Sequence, residues 1–170
     1  ARSGPIQLML YTVFRIGHAT NNISWKSYQD IVKHPQVSWC IPISLGDSHH
    51  GFSVLGTTES YFNHYRYARH HALKFKQGKQ FHDLYDAVLG SEVAKKKGYK
   101  IGDAITIAHG AHDVAFAQHA DKPFTVTGIL EATGTPVDRT VHVSLSAIEA
   151  VHIDWQSGAP IPGLSVSADQ

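Results

Sequence analysis

The stretch 123–145, PFTVTGILEATGTPVDRTVHVSL, constrains the fold more than any other part of this sequence. Phe124, Val126 and Gly128 alternate with Thr125 and Thr127, the period of two that lets a strand turn one face to a core and the other outward. Between Gly134 and Arg139, GTPVDR gathers turn-forming residues and a charge pair, after which Val141, Val143 and Leu145 resume the alternation. Two strands joined by an exposed elbow are expected. Phe124 and Val126 should be buried together, with Ile129 or Leu130 continuing the core after a twist at Gly128.

The rest of the chain supplies elements for those strands to pack against. Residues 6–16, IQLMLYTVFRI, are almost continuously apolar with β-branched and aromatic members, and read as a buried strand. Ser24 is placed to cap a helix over 24–34 with Trp25, Tyr28, Ile31 and Val32 on one face and Pro35 closing it. VSWCIPISL follows as a strand, with Pro42 at an edge or bulge, and this βαβ order predicts a parallel pairing of the first two strands. Cys40, the only cysteine, then sits in that strand as a buried thiol, and no internal disulfide can form.

Gly46 to His50 reads as a polar turn, and GFSVLGTT as the second arm of a hairpin that ends in a short helix capped by Thr57 or Thr58. The basic, aromatic stretch 63–79 reads as a solvated or membrane-proximal face. From Ala87 to Tyr99 the pattern is strand, Gly90 turn and helix: Glu92 suits the positive end of the helix dipole, Lys95, Lys96 and Lys97 suit the negative end, and Gly98 stops it. A short strand at 104–108, a long connection over 108–122 and a final helix capped by Ser144 or Ser146 with Ile148, Val151 and Trp155 on one face complete the reading. The fold class is α+β, a βαβ-containing layer carrying an inserted β-rich lobe: residues 1–75 with 141–170 form the first part and 76–140 the second.

Composition narrows function mainly by exclusion. With 42% hydrophobic residues over 170 positions a core can be built, and 15 basic against 14 acidic residues give no phosphate-binding excess, so a nucleic-acid partner is not expected. No run of about 18 apolar residues occurs, so no membrane span is expected within the chain.

The ordered segments IQLMLYTVFRIG, VSWCIPISLGDSHHGFSVLGTT, AVLGSEVAKKKGYKIGDAITI and VTGILEATGTPVDRTVHVSLSAIEAVHIDW resemble the extracytoplasmic core domain of MacB/FtsX-like ABC transporter permeases, over about Ile6 to Trp155. The resemblance implies that the two expected parts correspond to the family's porter and sabre subdomains. It also implies a location on the periplasmic side of the bacterial inner membrane and a lever-like, non-catalytic role. The partners it implies are a cytoplasmic ABC ATPase subunit, a second permease copy and a periplasmic partner protein, and the elbow residues Thr135, Pro136, Asp138 and Arg139 are the candidate partner contact.

The 13 histidines are the feature this leaves over. His109, His112 and His119 with Asp113 offer imidazoles and a carboxylate suited to a divalent transition metal, so zinc is the one cofactor to consider, and a zinc-binding module the alternative function. Against it, no H-E-x-x-H motif, phosphate-cradling glycine loop or nucleophile elbow is present, and no enzyme is expected. His142 and His152 are expected to be packed, hydrogen-bonded residues.

Overall fold

The computed structural model describes Leu10, Phe14 and residues 23–109 and 122–153. Its centre is one mixed sheet in the order β5-β9-β6-β10-β2-β1-β8, with β7 added beside β9. The strands are β1 (Ser44–His49), β2 (Phe52–Thr57), β5 (Phe75–Gly78), β6 (Asp86–Leu89), β7 (Ala104–Ile105), β8 (Ala108–His109), β9 (Phe124–Leu130) and β10 (Thr140–Ser144). A separate two-stranded ribbon, β3 (Arg66–Tyr67) and β4 (His71–Ala72), lies off this sheet. The helices are α1 (Trp25–Val32), α2 (Ser60–His64), α3 (Ser91–Lys97) and α4 (Leu145–Ile153).

The α+β class is as expected, but the expected division of the sheet is corrected. β2 pairs in parallel with β10, and β10 pairs antiparallel with β6. Hydrogen bonds therefore run without a break from residues 44–57 into residues 86–89 and on to β9, so residues 76–140 do not form a sheet of their own. The N-terminal βαβ pairing is also corrected. β1 has β2 and β8 as neighbours, both antiparallel, and Leu10 and Phe14, the described residues of the apolar stretch 6–16, are helical.

β9 behaves as its alternation predicts. Phe124 and Val126 are wholly buried, Thr125 is exposed, and the register against β6 skips Thr127 so that Gly128 meets Val88. Past that irregularity Ile129 and Leu130 are both buried, joining different clusters on the two faces of the sheet. Each of the large apolar side chains so buried contributes about 2 kcal/mol, an upper figure because the unfolded chain already hides some surface.

The β1–β2 hairpin forms one step later than expected. Its turn is His50–Gly51, both at positive φ (47° and 80°), as a two-residue hairpin turn of primed type requires. Gly46 and Asp47 instead lie within β1, where three residue steps from Leu45 to Ser48 face two from Leu55 to Ser53. That extra residue is a bulge, and bulges re-aim side chains.

α3 has the predicted ends: Glu92 in its first turn, three lysines in its last, and Gly98 at φ 71° as its left-handed cap. The Oγ of Ser144 accepts from the Ala147 amide at 3.0 Å and caps α4, whose Ala147, Ala150 and Val151 are buried. α2 starts from Glu59 without a side-chain cap, so the expected threonine cap is absent. Cys40 is half-buried and precedes β1, which begins only after Pro42, so it is not a strand residue. The expected strand over 104–108 is split, β7 joining β9 and β8 joining β1 across residues 106–107.

Candidate functional site

The elbow predicted to be exposed is only partly so. Residues 136–139 form a short 3-10 turn, entered by Thr135, whose Oγ1 accepts from the Val137 amide at 3.3 Å, with Pro136 at its first position where no amide is missed. Val137 and Asp138 are buried there, against expectation. Burial of a carboxylate requires partners, and Asp138 has them. One oxygen accepts from the Thr133 amide at 2.8 Å and the Thr133 hydroxyl at 2.9 Å, and the other from the Gly134 amide at 2.8 Å. The Thr140 hydroxyl donates to the Pro136 carbonyl at 2.8 Å, closing the loop from its other end.

The sheet side of this elbow is Gly90. Its amide donates to the Thr140 carbonyl at 2.9 Å, and a Cβ there would lie 2.2 Å from the Val137 carbonyl oxygen and 2.5 Å from that of Asp138. Only a residue without a side chain allows the elbow to sit this close to the start of α3.

The outer side of the elbow is a charge relay of surface groups. Arg139 donates to Glu92 at 3.3 Å, and its guanidinium carbon lies 5.7 Å from the centre of the Phe52 ring. Glu92 also pairs with Lys96 one turn along α3, and this bond above all holds the Glu92 carboxyl below its usual range. Beside Arg139 opens a cavity of about 460 Å³, bordered by Thr135, Pro136 and Thr140 of the elbow, by Ser53 of β2 and by Phe14. The structure thus brings Thr135, Pro136 and Arg139 to one cavity wall, with Asp138 behind them holding the loop in shape.

Of the four candidate metal ligands, His112, Asp113 and His119 lie outside the described residues. His109 is in β8, its backbone opposite Asp47 of β1. Among the described residues no group of three or more histidine, cysteine, aspartate or glutamate side chains could hold a metal ion.

The histidines that the structure gives defined partners are others. His49, on β1, is almost wholly buried; its Nδ1 donates to the Thr106 carbonyl at 2.5 Å, which leaves Nε2 to accept from the Tyr99 hydroxyl at 2.9 Å. That carbonyl is available because the chain changes partner strand at residues 106–107. Burial pushes the His49 imidazole below its ordinary pKa, in keeping with a neutral ring. His142 is wholly buried on β10 and donates through Nδ1 to the Val88 carbonyl at 3.1 Å. His152 donates to the Ile148 carbonyl of its own helix and places Nε2 3.6 Å from the Asp47 carboxylate, which raises its pKa. The bulge in β1 is what presents Asp47 there, and no local pattern in the sequence announces it.

A model of the MacB-like periplasmic core domain matches residues 4–169, nearly the whole sequence. The chain belongs to that family, which comprises extracytoplasmic domains of ABC transporter permeases. Among solved structures, it is similar to the extracellular domain of the noncanonic ABC-type transporter YknZ from Gram-positive bacteria, at 12% identity and a TM-score of 0.49 over 75% of this chain and 65% of that one. A domain of a permease protein from Porphyromonas gingivalis is similar at 10% identity and a TM-score of 0.44, over 76% of this chain and 53% of that one. This chain therefore spans less than two thirds of either. No curated protein matches it. Among the described residues no helix is long and apolar enough to cross a membrane.

Proposed function

We propose that this chain is the non-catalytic periplasmic domain of an ABC transporter permease, and that it couples ATP-driven movement of the membrane helices to a substrate or partner outside the membrane. The observation that carries this reading is the family match over residues 4–169. ATP hydrolysis belongs to a separate cytoplasmic ATPase subunit, and the full transporter holds a second permease copy.

The mechanical part of the proposal rests on stiffness. A lever transmits displacement only if its parts do not yield, and closely packed interiors resist deformation. One sheet ties β2, β10 and β6 together through paired backbone bonds, and α4 follows β10 without a linker, so motion applied at α4 passes straight into the sheet centre. The elbow lies at the opposite end of β10. Its Asp138-braced loop presents Thr135, Pro136 and Arg139 to a partner in one preset shape, which reduces the ordering cost of binding.

The test is to place Arg139→Glu, alone and with Thr135→Lys, in the parent permease. The expected result is a domain that melts as before with Arg139→Glu alone and somewhat lower in the double variant, which loses the Thr135 cap, and in both a transporter that still hydrolyses ATP but exports or responds several-fold less. Transport unchanged in both variants would remove the elbow as the contact. Loss of ATP hydrolysis together with transport in a normally folded variant would contradict a role downstream of the ATPase.

A further inference from the structure

α1 is a helix whose hydrophobic face has no place in the core. Successive residues turn by 100°, so Trp25, Tyr28, Ile31 and Val32 share one side while Lys26, Gln29, Asp30 and Lys33 share the other. An amphipathic helix in a globular domain ordinarily buries such a stripe. Here no residue of α1 is buried: Trp25 is 61% exposed, Ile31 44% and Val32 41%. The helix is nonetheless well made, with the Ser24 hydroxyl accepting from the Ser27 amide at 3.1 Å.

The apolar exposure continues beyond the helix. Trp39 is 54% exposed and its ring stacks on His64 at 4.9 Å, 5° from parallel, which joins the α1 segment to the end of α2. The chain turns tightly between α1 and Trp39, the His34 amide donating to the Ile31 carbonyl at 3.1 Å and the Val37 amide to the His34 carbonyl at 2.9 Å, so Trp39 follows close on the end of α1. From His64 the chain runs directly into the β3–β4 ribbon and β5, where Arg66, Arg69, Lys74 and Lys76 are all exposed. No carboxylate occurs anywhere from Ser60 to His82. The stack on His64 thus links the exposed apolar segment to a basic stretch that begins two residues on, at Arg66, and has no acidic residue within it.

We propose that α1 and this basic stretch are a docking surface for an anionic lipid bilayer, α1 lying in the plane of the headgroups. The chemistry of the two halves selects this occupant. Indole and tyrosine rings favour the boundary between headgroups and acyl chains, where an apolar ring body and a polar edge are both satisfied. A helix with segregated faces and low overall hydrophobicity lies on a bilayer surface and does not cross it, and nearby lysine and arginine draw it to anionic lipid. A second copy of this chain would bring the same basic stretch against itself. The inference stands on the helix and its surroundings, so its failure would leave the permease reading untouched.

Flotation of the chain with vesicles tests it, using phosphatidylcholine alone and phosphatidylcholine mixed with phosphatidylglycerol. The expected result is co-flotation with the mixed vesicles that weakens as salt is added, and little with phosphatidylcholine alone. Trp25→Ser with Ile31→Ser removes two apolar side chains from the lipid contact and should lower the partition at least about tenfold, while the melting temperature stays put because neither residue is buried. Arg66→Glu with Lys74→Glu should abolish the preference for phosphatidylglycerol. The proposal is overturned if the parent chain stays unbound, if it binds both vesicle types equally, or if the folded Trp25→Ser, Ile31→Ser variant floats like the parent. A concentration-dependent dimer that this variant dissociates would overturn it in favour of contact between two copies.

Discussion

The elbow and α1 reverse what their sequences suggest, and the reversal shows what decides burial. GTPVDR is polar and turn-rich, yet Val137 and Asp138 are buried; WKSYQDIV carries an amphipathic pattern, yet none of its residues is. The elbow is held because every oxygen of the Asp138 carboxylate has donors within its own loop and because Gly90 leaves room for it. α1 satisfies its backbone within itself and its cap, so nothing obliges it to pack. Hydrophobic pattern states what a segment can bury. Satisfied polar groups and available space settle whether it does.

Substitutions that fill or empty the elbow should break this contrast most severely. Gly90→Ala places a methyl group against two backbone carbonyls that cannot swing aside, and about 3 kcal/mol of stability should be lost, read as a fall in the urea midpoint. Asp138→Ala leaves the Thr133 and Gly134 amides without their acceptor and should cost about 2 kcal/mol, with accelerated amide exchange confined first to residues 133–140. If either variant were as stable as the parent, the elbow would not be held in the way described.

A smaller effect comes from two histidines, His49 within β1 and His152 of α4 facing Asp47 of β1. The folded pKa of His49 is lowered, so its unfolded form takes up a proton first as the medium is acidified; the stability from the buried neutral ring is present above the unfolded value and falls away as pH drops toward the folded one. His152 has the opposite sign: its folded pKa is raised by Asp47, so its contribution is full below the unfolded value and is lost as pH rises through the folded one. Melting temperatures between pH about 7.5 and about 5.5 should therefore drop more steeply in His152→Ala than in the parent, and less steeply in His49→Gln. Parallel profiles for all three would show that neither ring titrates differently in the folded state.

The smallest effect belongs to α1. Trp25→Ser with Ile31→Ser should change stability by no more than about 0.5 kcal/mol, as for surface positions generally. A loss of several kcal/mol would mean that the helix packs after all.

What could be read from the sequence divides along the same line. Features carried by neighbouring residues were legible: the alternation and Gly128 break of β9, the Glu92-to-Gly98 polarity of α3, the Ser24 and Ser144 caps and the existence of the β1–β2 hairpin. Features set by residues far apart were not. The parallel β2–β10 pairing joins Val54 to Val141, and it makes one sheet where a layer and a lobe were expected. The sequence marks Asp138 as a candidate contact in an exposed elbow, but its burial depends on Gly90, 48 positions earlier by subtraction of their residue numbers. His49 falls in what reads as a polar turn, and its burial is not legible locally because its partners Thr106 and Tyr99 arrive from other elements. The apolar run at 6–16 reads as a strand, although Leu10 and Phe14 are helical, since a short run of apolar residues serves either state.

Hydrogen–deuterium exchange of the chain, with and without phosphatidylglycerol-containing vesicles, tests the contrast between the two regions most directly. The amides of Thr133, Gly134, Val137, Asp138 and Thr140, each bonded within the elbow, should exchange slowly in both conditions. Those of Trp25–Val32 should exchange quickly in solution and slow markedly on the vesicles. Fast exchange in the elbow, or an α1 protected equally in both conditions, would contradict the account.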